Sequence, residues 1–215
     1  MAKWGTDSGE VAIKVAIVGQ PGAGKSSIIR ALADTNMQAA VRTGIVSEAE
    51  VMRTEFIWPD PIPDGPFVRV KVFALSGNPL HQAAEQLLLV DVDALVFVVD
   101  CDPAYIAASR DRLLSLMTNA RHLGLDWSQT TVVMHYNRTE RYPHMNTAEV
   151  DAWLGIEAGK VARHTTTSQS GEHLTVAVND AIHSVITRLI KQADEKKSAA
   201  KPKLAETPKA DSNGG

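Results

Sequence analysis

The chain has 215 residues, 44% hydrophobic and 22% charged, with a net charge of −3, which suffices for one domain with a real core and gives no argument for a nucleic-acid or membrane surface. A single cysteine, Cys101, excludes an internal disulfide, fits a reducing cytoplasm and reads as a small buried hydrophobe at a strand end. No apolar stretch approaches the roughly 18 residues of a membrane span, and Met1 to Asp7 lack a signal-peptide core, so a cytoplasmic location is expected.

Residues 1–10 read as an N-terminal extension. Val11-Ala12-Ile13-Lys14-Val15-Ala16-Ile17-Val18 is an apolar run of strand length. Gly19-Gln20-Pro21-Gly22-Ala23-Gly24-Lys25-Ser26 follows, and Ile28, Ile29 and Leu32 then recur at helical spacing over residues 25–34. Strand, glycine-rich loop and helix form the context in which G-x-x-x-x-G-K-[ST] marks a phosphate site. Glycines let successive backbone N–H groups turn inward as an anion nest, and the new helix adds its positive N-terminal end. In such a loop Lys25 reaches the β- and γ-phosphates and the Ser26 hydroxyl ligates Mg²⁺. Pro21 removes one N–H from the nest and stiffens it. The motif implies a nucleoside-phosphate site.

Residues 35–52 show no clear period and are open to two readings, a mobile flap over the nucleotide or a plain surface loop. Residues 53–58 read as a strand stopped by Pro59, Pro61 and Pro63, and Asp64-Gly65-Pro66 supplies a turn. Residues 67–75 alternate apolar and basic side chains, as a strand with one wet face should, so the pair predicts an antiparallel hairpin at the sheet edge. Pro79 suits the first turn of a helix over residues 80–90. Residues 93–100 are apolar almost throughout, the pattern of a parallel strand buried on both faces. A long helix is expected over 104–123 with Leu113, Leu114 and Met117 inward, ending at Gly124. A strand over 131–137, a short helix over 147–154 capped by Asn146 or Thr147, and a weak strand over 161–166 follow. Val178, Ile182, Val185, Ile186 and Leu189 mark the inner face of a final helix. From about Lys191 large apolar residues cease, and residues 191–215 are expected to be a disordered tail. The order predicts a doubly wound α/β domain over residues 11–190, with a mostly parallel six-stranded sheet and helices on both faces. Ligand then lies outside the carboxyl ends of the strands.

Every remaining motif falls at such an end. Gly77 could offer its N–H to a γ-phosphate, with Asn78 beside it. Asn137-Arg138-Thr139-Glu140 stands where a base would lie, and Thr167-Ser168-Gln169-Ser170-Gly171 offers hydroxyls and backbone donors. Together with Arg53-Thr54, Ser76-Gly77-Asn78 and Phe97-Val98-Val99-Asp100, these occur in the order of a Ras-like small GTPase, a P-loop fold. The chain resembles most the bacterial and archaeal MglA-like branch, the gliding-motility and polarity GTPases. The Arg-Thr pair opening the second strand, the proline-rich turn and Tyr136-Asn137 carry that resemblance, which covers roughly residues 11–190.

The resemblance implies a GTP- and GDP-binding, Mg²⁺-dependent switch. Nucleotide contacts are implied at Gly19, Gly22, Ala23, Gly24, Lys25, Ser26, Ser27, Thr54, Gly77, Asn137, Arg138, Glu140, Thr167, Ser168 and Gln169. Ser26 and Thr54 are the implied Mg²⁺ ligands, and Lys25, Asn78 and Arg53 the catalytic set. Arg53 is either an arginine finger in cis or a solvated edge-strand arginine, and the two stand open. Three departures from the family pattern matter: no acid precedes Gly77 in the usual box, Asn78 replaces a water-orienting glutamine, and Arg138 and Glu140 replace lysine and aspartate. A roadblock-type regulatory protein is the implied partner. Competing readings are a nucleotide-binding interaction module with little or no hydrolysis, and a P-loop ATPase or kinase. The last leaves Asn137 to Glu140 without a role.

Overall fold

The computed structural model describes residues 9–46, 48–60, 62, 65–75, 77–125, 130–137, 139, 142, 146–156, 161–166 and 173–200, the last five of these as backbone. The strands are β1 (Glu10–Gly19), β2 (Arg42–Val46), β3 (Ala49–Ile57), β4 (Phe67–Leu75), β5 (Ala94–Asp100), β6 (Thr131–Asn137) and β7 (Ala162–Thr165). The helices are α1 (Lys25–Thr35), α2 (Gln82–Leu89), α3 (Pro103–His122), α4 (Thr147–Leu154) and α5 (Val176–Ala200), and a 3₁₀ turn over Pro79–His81 leads into α2. They build one α/β sheet in the order β2-β3-β4-β1-β5-β6-β7. β1 is parallel to β4 and β5, and β6 to β5 and β7, while β3 runs antiparallel to both its neighbours.

The sheet has seven strands rather than the expected six. The additional one is β2, which pairs Arg42 with Arg53 through to Val46 with Ala49, and β3 consequently starts four residues before Arg53. β2 is an edge strand exposed on both faces, so it needs no apolar alternation and leaves no period to read. The hairpin of β3 and β4 stands as expected, but inside the sheet with β2 outside it.

Alternation along β1 divides the core. Val11, Ile13, Val15 and Ile17 pack under α1 and α5 with Ile28, Ile29, Leu32, Ile182 and Val185, whereas Ala16 and Val18 face α3 and α4 with Phe97, Leu113, Leu116 and Leu154. Successive strand residues point to opposite faces, so a strand covered on both sides is apolar throughout. α2 closes the β3–β4 end over Ala49, Val51 and Leu75. In α3 the buried row is Ser109, Leu113, Leu116 and Ala120. Leu114 and Met117, expected inward, are 48% and 37% exposed, because each lies about 100° around the helix from a buried neighbour. α5 buries Val178, Ile182, Val185, Ile186 and Leu189 as read. Its backbone continues helical to Ala200, past Lys191, where the loss of apolar residues suggests disorder. Helical periodicity can persist there without a buried face, because the intrahelical bonds need no apolar partner.

The connection after β1 runs outward to β2 and returns to β4 at β1's side, and the chain then crosses to β5 on the other side. That reversal opens a crevice above the C-terminal ends of β1 and β5. Two ion pairs show which polar contacts matter for the frame. Arg69 bridges Glu10 and Glu55 at 2.7 and 3.2 Å, but all three side chains are more than a third exposed. Arg112 on α3 pairs with Glu85 on α2, at 10% and 2% exposure. Asn119 Nδ2 also donates to Glu85 Oε1 at 3.2 Å, and Gln82 Nε2 donates to Asn119 Oδ1 at 2.7 Å. Removing one member of a buried pair strands the other charge. Glu85→Ala should therefore lower unfolding free energy by about 3–5 kcal/mol in a urea titration. Arg69→Ala should leave the midpoint nearly unchanged.

Candidate nucleotide-binding site

The phosphate loop lies between Gly19, the last residue of β1, and Lys25, the first of α1. Gly24 is the helix N-cap at φ 105°, and no side chain caps the turn. The positive N-terminal end of α1 lies at this turn, where the N–H groups of Ser27 and Ile28 donate to Gly24 O at 3.0 and 3.3 Å. Gly24 has to be glycine for two reasons. Its φ is left-handed, and a Cβ there would sit 2.3 Å from Asn137 Nδ2. Ala23 is fully buried beneath the loop, while Ser26 and Ser27 are exposed on the first turn. The Ser26 hydroxyl, with nothing packed over it, fits the expected Mg²⁺ ligand.

Lys25 is 5% exposed, and its ammonium donates to the carbonyls of Gly19 at 3.1 Å and Gln20 at 2.6 Å. Burial, and then the cation of Arg112, brings its pKa down to about 8. An anion beside it would reverse that shift by favouring the charged form. Gly77, at φ 82°, presses its backbone on the same spot: a Cβ there would meet Gly19 O at 2.3 Å and Lys25 Nζ at 2.8 Å. The structure thus brings Gly19, Lys25 and Gly77 into one contact. Asn78 follows, and its Oδ1 accepts from Leu80 N at 3.0 Å, capping the 3₁₀ turn.

On the base side, Asn137 ends β6 and is 4% exposed. Its Nδ2 donates to Ala23 O at 2.8 Å, so the expected base-reading residue is tied to the phosphate loop. Thr139 N and Oγ1 donate to Thr166 O at 3.4 and 3.2 Å, joining this segment to the end of β7. Arg138, Glu140, Thr167, Ser168 and Gln169 lie outside the described residues.

Arg53 and Thr54 are not brought to the loop. Through Phe73 and Val72 they stand level with Ala16 and Val15 of β1. That is three and four residues short of Gly19, roughly 10–13 Å along the strand at about 3.3 Å per residue, and two strands across. Arg53 is exposed, whereas Thr54 is 1% exposed and its Oγ1 has no hydrogen-bond partner among the described residues.

Sequence reasoning passed over His135 and Thr166, both buried. Thr166 Oγ1 lies 2.9 Å from His135 Nε2 and 3.4 Å from Asn137 Oδ1. Burial, and then His164, lowers the His135 pKa to about 4. The one available signal was a histidine inside an otherwise apolar strand. Tyr136, next to Asn137, donates its hydroxyl to Asp151 of α4, which also pairs with Arg163 of β7. Burial and the Asp151 bond push the Tyr136 pKa well above the ordinary phenol value.

Two outcomes follow for nucleotide binding. Gly24→Ala should cost at least the roughly 1–2 kcal/mol of a left-handed non-glycine residue and should also abolish GDP binding, because the new methyl displaces Asn137. Gly22→Ala has a comparable φ of 77° but no protein atom near its Cβ, so it should cost stability without displacing Asn137; urea titration and fluorescent-GDP binding measure both variants. Affinity for GDP should also fall above about pH 8, where the empty site has lost the Lys25 proton and binding must take it up again. The decline should steepen toward about tenfold per pH unit, measured by titration between roughly pH 7 and 9.

A family model described as 50S ribosome-binding GTPase matches residues 14–138. The match runs from β1 through the phosphate loop, β3 and Gly77 to Asn137 and Arg138. No curated protein matches the chain. With the phosphate loop, Gly77 and Asn137 all inside the matched span and assembled at the C-terminal ends of the strands, the chain belongs to this family of GTP-binding P-loop GTPases.

Proposed function

We propose that this protein is a nucleotide-dependent switch of the MglA-like branch that binds GTP and GDP with Mg²⁺, hydrolyses GTP slowly and is read by a partner protein. One observation carries the reading: the Gly77 backbone packs against both Lys25 Nζ and Gly19 O. An anion placed on Lys25 must displace or engage the segment that leads directly into α2, so the phosphate state is transmitted to an exposed helix. Leu80 and Leu87 on that segment are 87% and 56% exposed, a surface suited to a partner of the roadblock type that the resemblance implies. Among the described residues no helix is long and apolar enough to cross a membrane.

In this reading the loop N–H groups and Lys25 hold the phosphates, and Ser26 would hold Mg²⁺. The ion, when bound, neutralises charge on the β- and γ-phosphates. Asn137 orients the base, with Arg138 covering it and Glu140 accepting from guanine. Thr167, Ser168 and Gln169 complete the base side. Thr54 as second Mg²⁺ ligand and Arg53 as a charge-stabilising arginine both require β3 to shift toward the sheet's C-terminal edge. The buried, unpartnered Thr54 hydroxyl supports such a second arrangement, since an orphan polar group costs stability where it sits.

A second reading, a binding module with little hydrolysis, is favoured by Asn78. Its amide oxygen caps the 3₁₀ turn, and its side chain is one methylene shorter than the glutamine that usually orients water. Single-turnover GTP hydrolysis by wild type, Asn78→Gln and Arg53→Ala decides between the readings. A slow wild-type rate that rises in Asn78→Gln supports the switch. No turnover in any of them, with binding intact, supports the module. If Arg53 acts, its loss should slow turnover by a factor approaching about 10³.

Guanine selectivity is a separate expectation. GDP should outcompete ADP against a fluorescent GDP analogue, because adenine leaves the Glu140 carboxylate unpaired at a cost of about 1–3 kcal/mol. Glu140→Ala should erase the difference, whereas Lys25→Ala should abolish binding of both nucleotides. Equal competition by GDP and ADP would sink the guanine assignment.

A further inference from the structure

Four buried groups form a continuous chain from the middle of the sheet to the phosphate loop: His135 at 0% exposure, Thr166 at 2%, Asn137 at 4% and Ala23 at 0%. The directions of the hydrogen bonds follow from donor and acceptor accounting. Asn137 Nδ2 donates to Ala23 O at 2.8 Å, so Oδ1 is the amide atom turned to Thr166 Oγ1, 3.4 Å away. The Tyr136 carbonyl lies at the same distance from that hydroxyl. Both are acceptors, and the Thr166 hydroxyl has one proton to direct at them. With His135 Nε2, 2.9 Å from Oγ1, as the donor, that proton stays available to the Asn137 amide oxygen. The imidazole is accordingly the Nε2–H tautomer, and the bare nitrogen is Nδ1, which has no partner among the described residues.

This is a poor way to stabilise a strand. An apolar side chain at position 135 would bury as well as its neighbours Val133 and Met134 and leave no orphan nitrogen, whereas a buried imidazole with one unmade bond carries a desolvation penalty. What the histidine does supply is a donor that sets the Thr166 hydroxyl, and each bond in such a chain polarises the next. The surroundings keep it neutral. The titratable groups facing it are its β7 register partner His164 and, beyond that, Asp180 of α5, which lies 3.0 Å from His164 Nε2. Burial holds its pKa near 4, so the ring stays neutral at neutral pH.

We propose that His135 is a positioning residue of the nucleotide site: through the Thr166 hydroxyl it fixes the Asn137 amide, and with it the Ala23 carbonyl of the phosphate loop, in the orientation that holds a guanine nucleotide. The inference rests on the assignment of Asn137 to the base, and it extends the site to a residue two positions upstream that touches no ligand. Thr166 is the hinge of the arrangement, since its carbonyl also receives Thr139 N and Oγ1 at the start of the guanine segment.

The test is the release rate of a fluorescent GDP analogue from the full chain with Mg²⁺, together with competition by GDP and ADP. His135→Leu removes the donor but packs as an apolar core residue. Thr166→Val removes the hydroxyl without changing shape. Each should speed release by about tenfold, the effect of one broken buried hydrogen bond, and narrow the GDP-over-ADP preference. The double variant should release no faster than the singles, because both cut the same chain. His135→Gln places an amide N–H where Nε2 stands and should stay within about threefold of wild type. Circular dichroism confirms that each variant is folded, and His135→Met takes the place of His135→Leu if the latter is not. Unchanged release and selectivity in folded Thr166→Val, or additive effects in the double variant, would overturn the proposal. A wild type that treats GDP and ADP alike sinks the base assignment instead, and the release comparison still judges the chain.

Discussion

The site depends on where the carbonyl oxygens of the phosphate loop go. A nest of N–H groups can point at an anion only if the alternating carbonyls point away and find donors. Lys25 takes those of Gly19 and Gln20, Asn137 takes that of Ala23, and the first turn of α1 takes that of Gly24. The donors come from α1 itself and from β6, an element more than 100 residues away in sequence. The loop is thus shaped from beneath by protein groups, and the helix terminus and a buried ammonium make it electropositive.

That arrangement makes Lys25 both a structural donor and a buried positive charge. Burial, and then Arg112, depresses its pKa, because carbonyl dipoles do not neutralise an ammonium as an anion would. The same logic explains why Gly77 and Gly24 admit no side chain. One lets the segment before α2 touch the loop, and the other lets Asn137 reach beneath it. The phosphate loop, the end of β6 and the segment before α2 therefore converge on a few backbone atoms.

The two sides of the crevice are held differently. On the α2–α3 side a buried ion pair with amide support joins Glu85, Arg112, Asn119 and Gln82. On the β3 side the residues with chemical potential, Arg53 and Thr54, sit mid-strand below the site, one solvated and one with an orphan hydroxyl. β3 is bounded outward by β2, whose side chains are mostly exposed and bury little. Burial resists rearrangement, and β2 has little of it. The asymmetry leaves β2 the least anchored strand of the sheet.

Local pattern in the chain determined the parts whose physics is local. Gly19 to Ser26 after an apolar run could be little else than a phosphate loop, because the glycines, the lysine and the helix start are all needed within eight residues. The doubly buried runs at β1 and β5 and the inner face of α5 follow from periods of two and 3.6 in one stretch of sequence. Tertiary structure decided what period cannot encode. β2 has no buried face, so only its pairing with β3 makes it a strand. Leu114 and Met117 are as apolar as Leu113 and Leu116, so only the placement of the sheet selects the inward row. His135 and Thr166 are 31 positions apart and unremarkable singly. Their meaning comes from the parallel register of β6 and β7, which sets a hydroxyl, an imidazole and the Asn137 amide within one hydrogen-bonded chain.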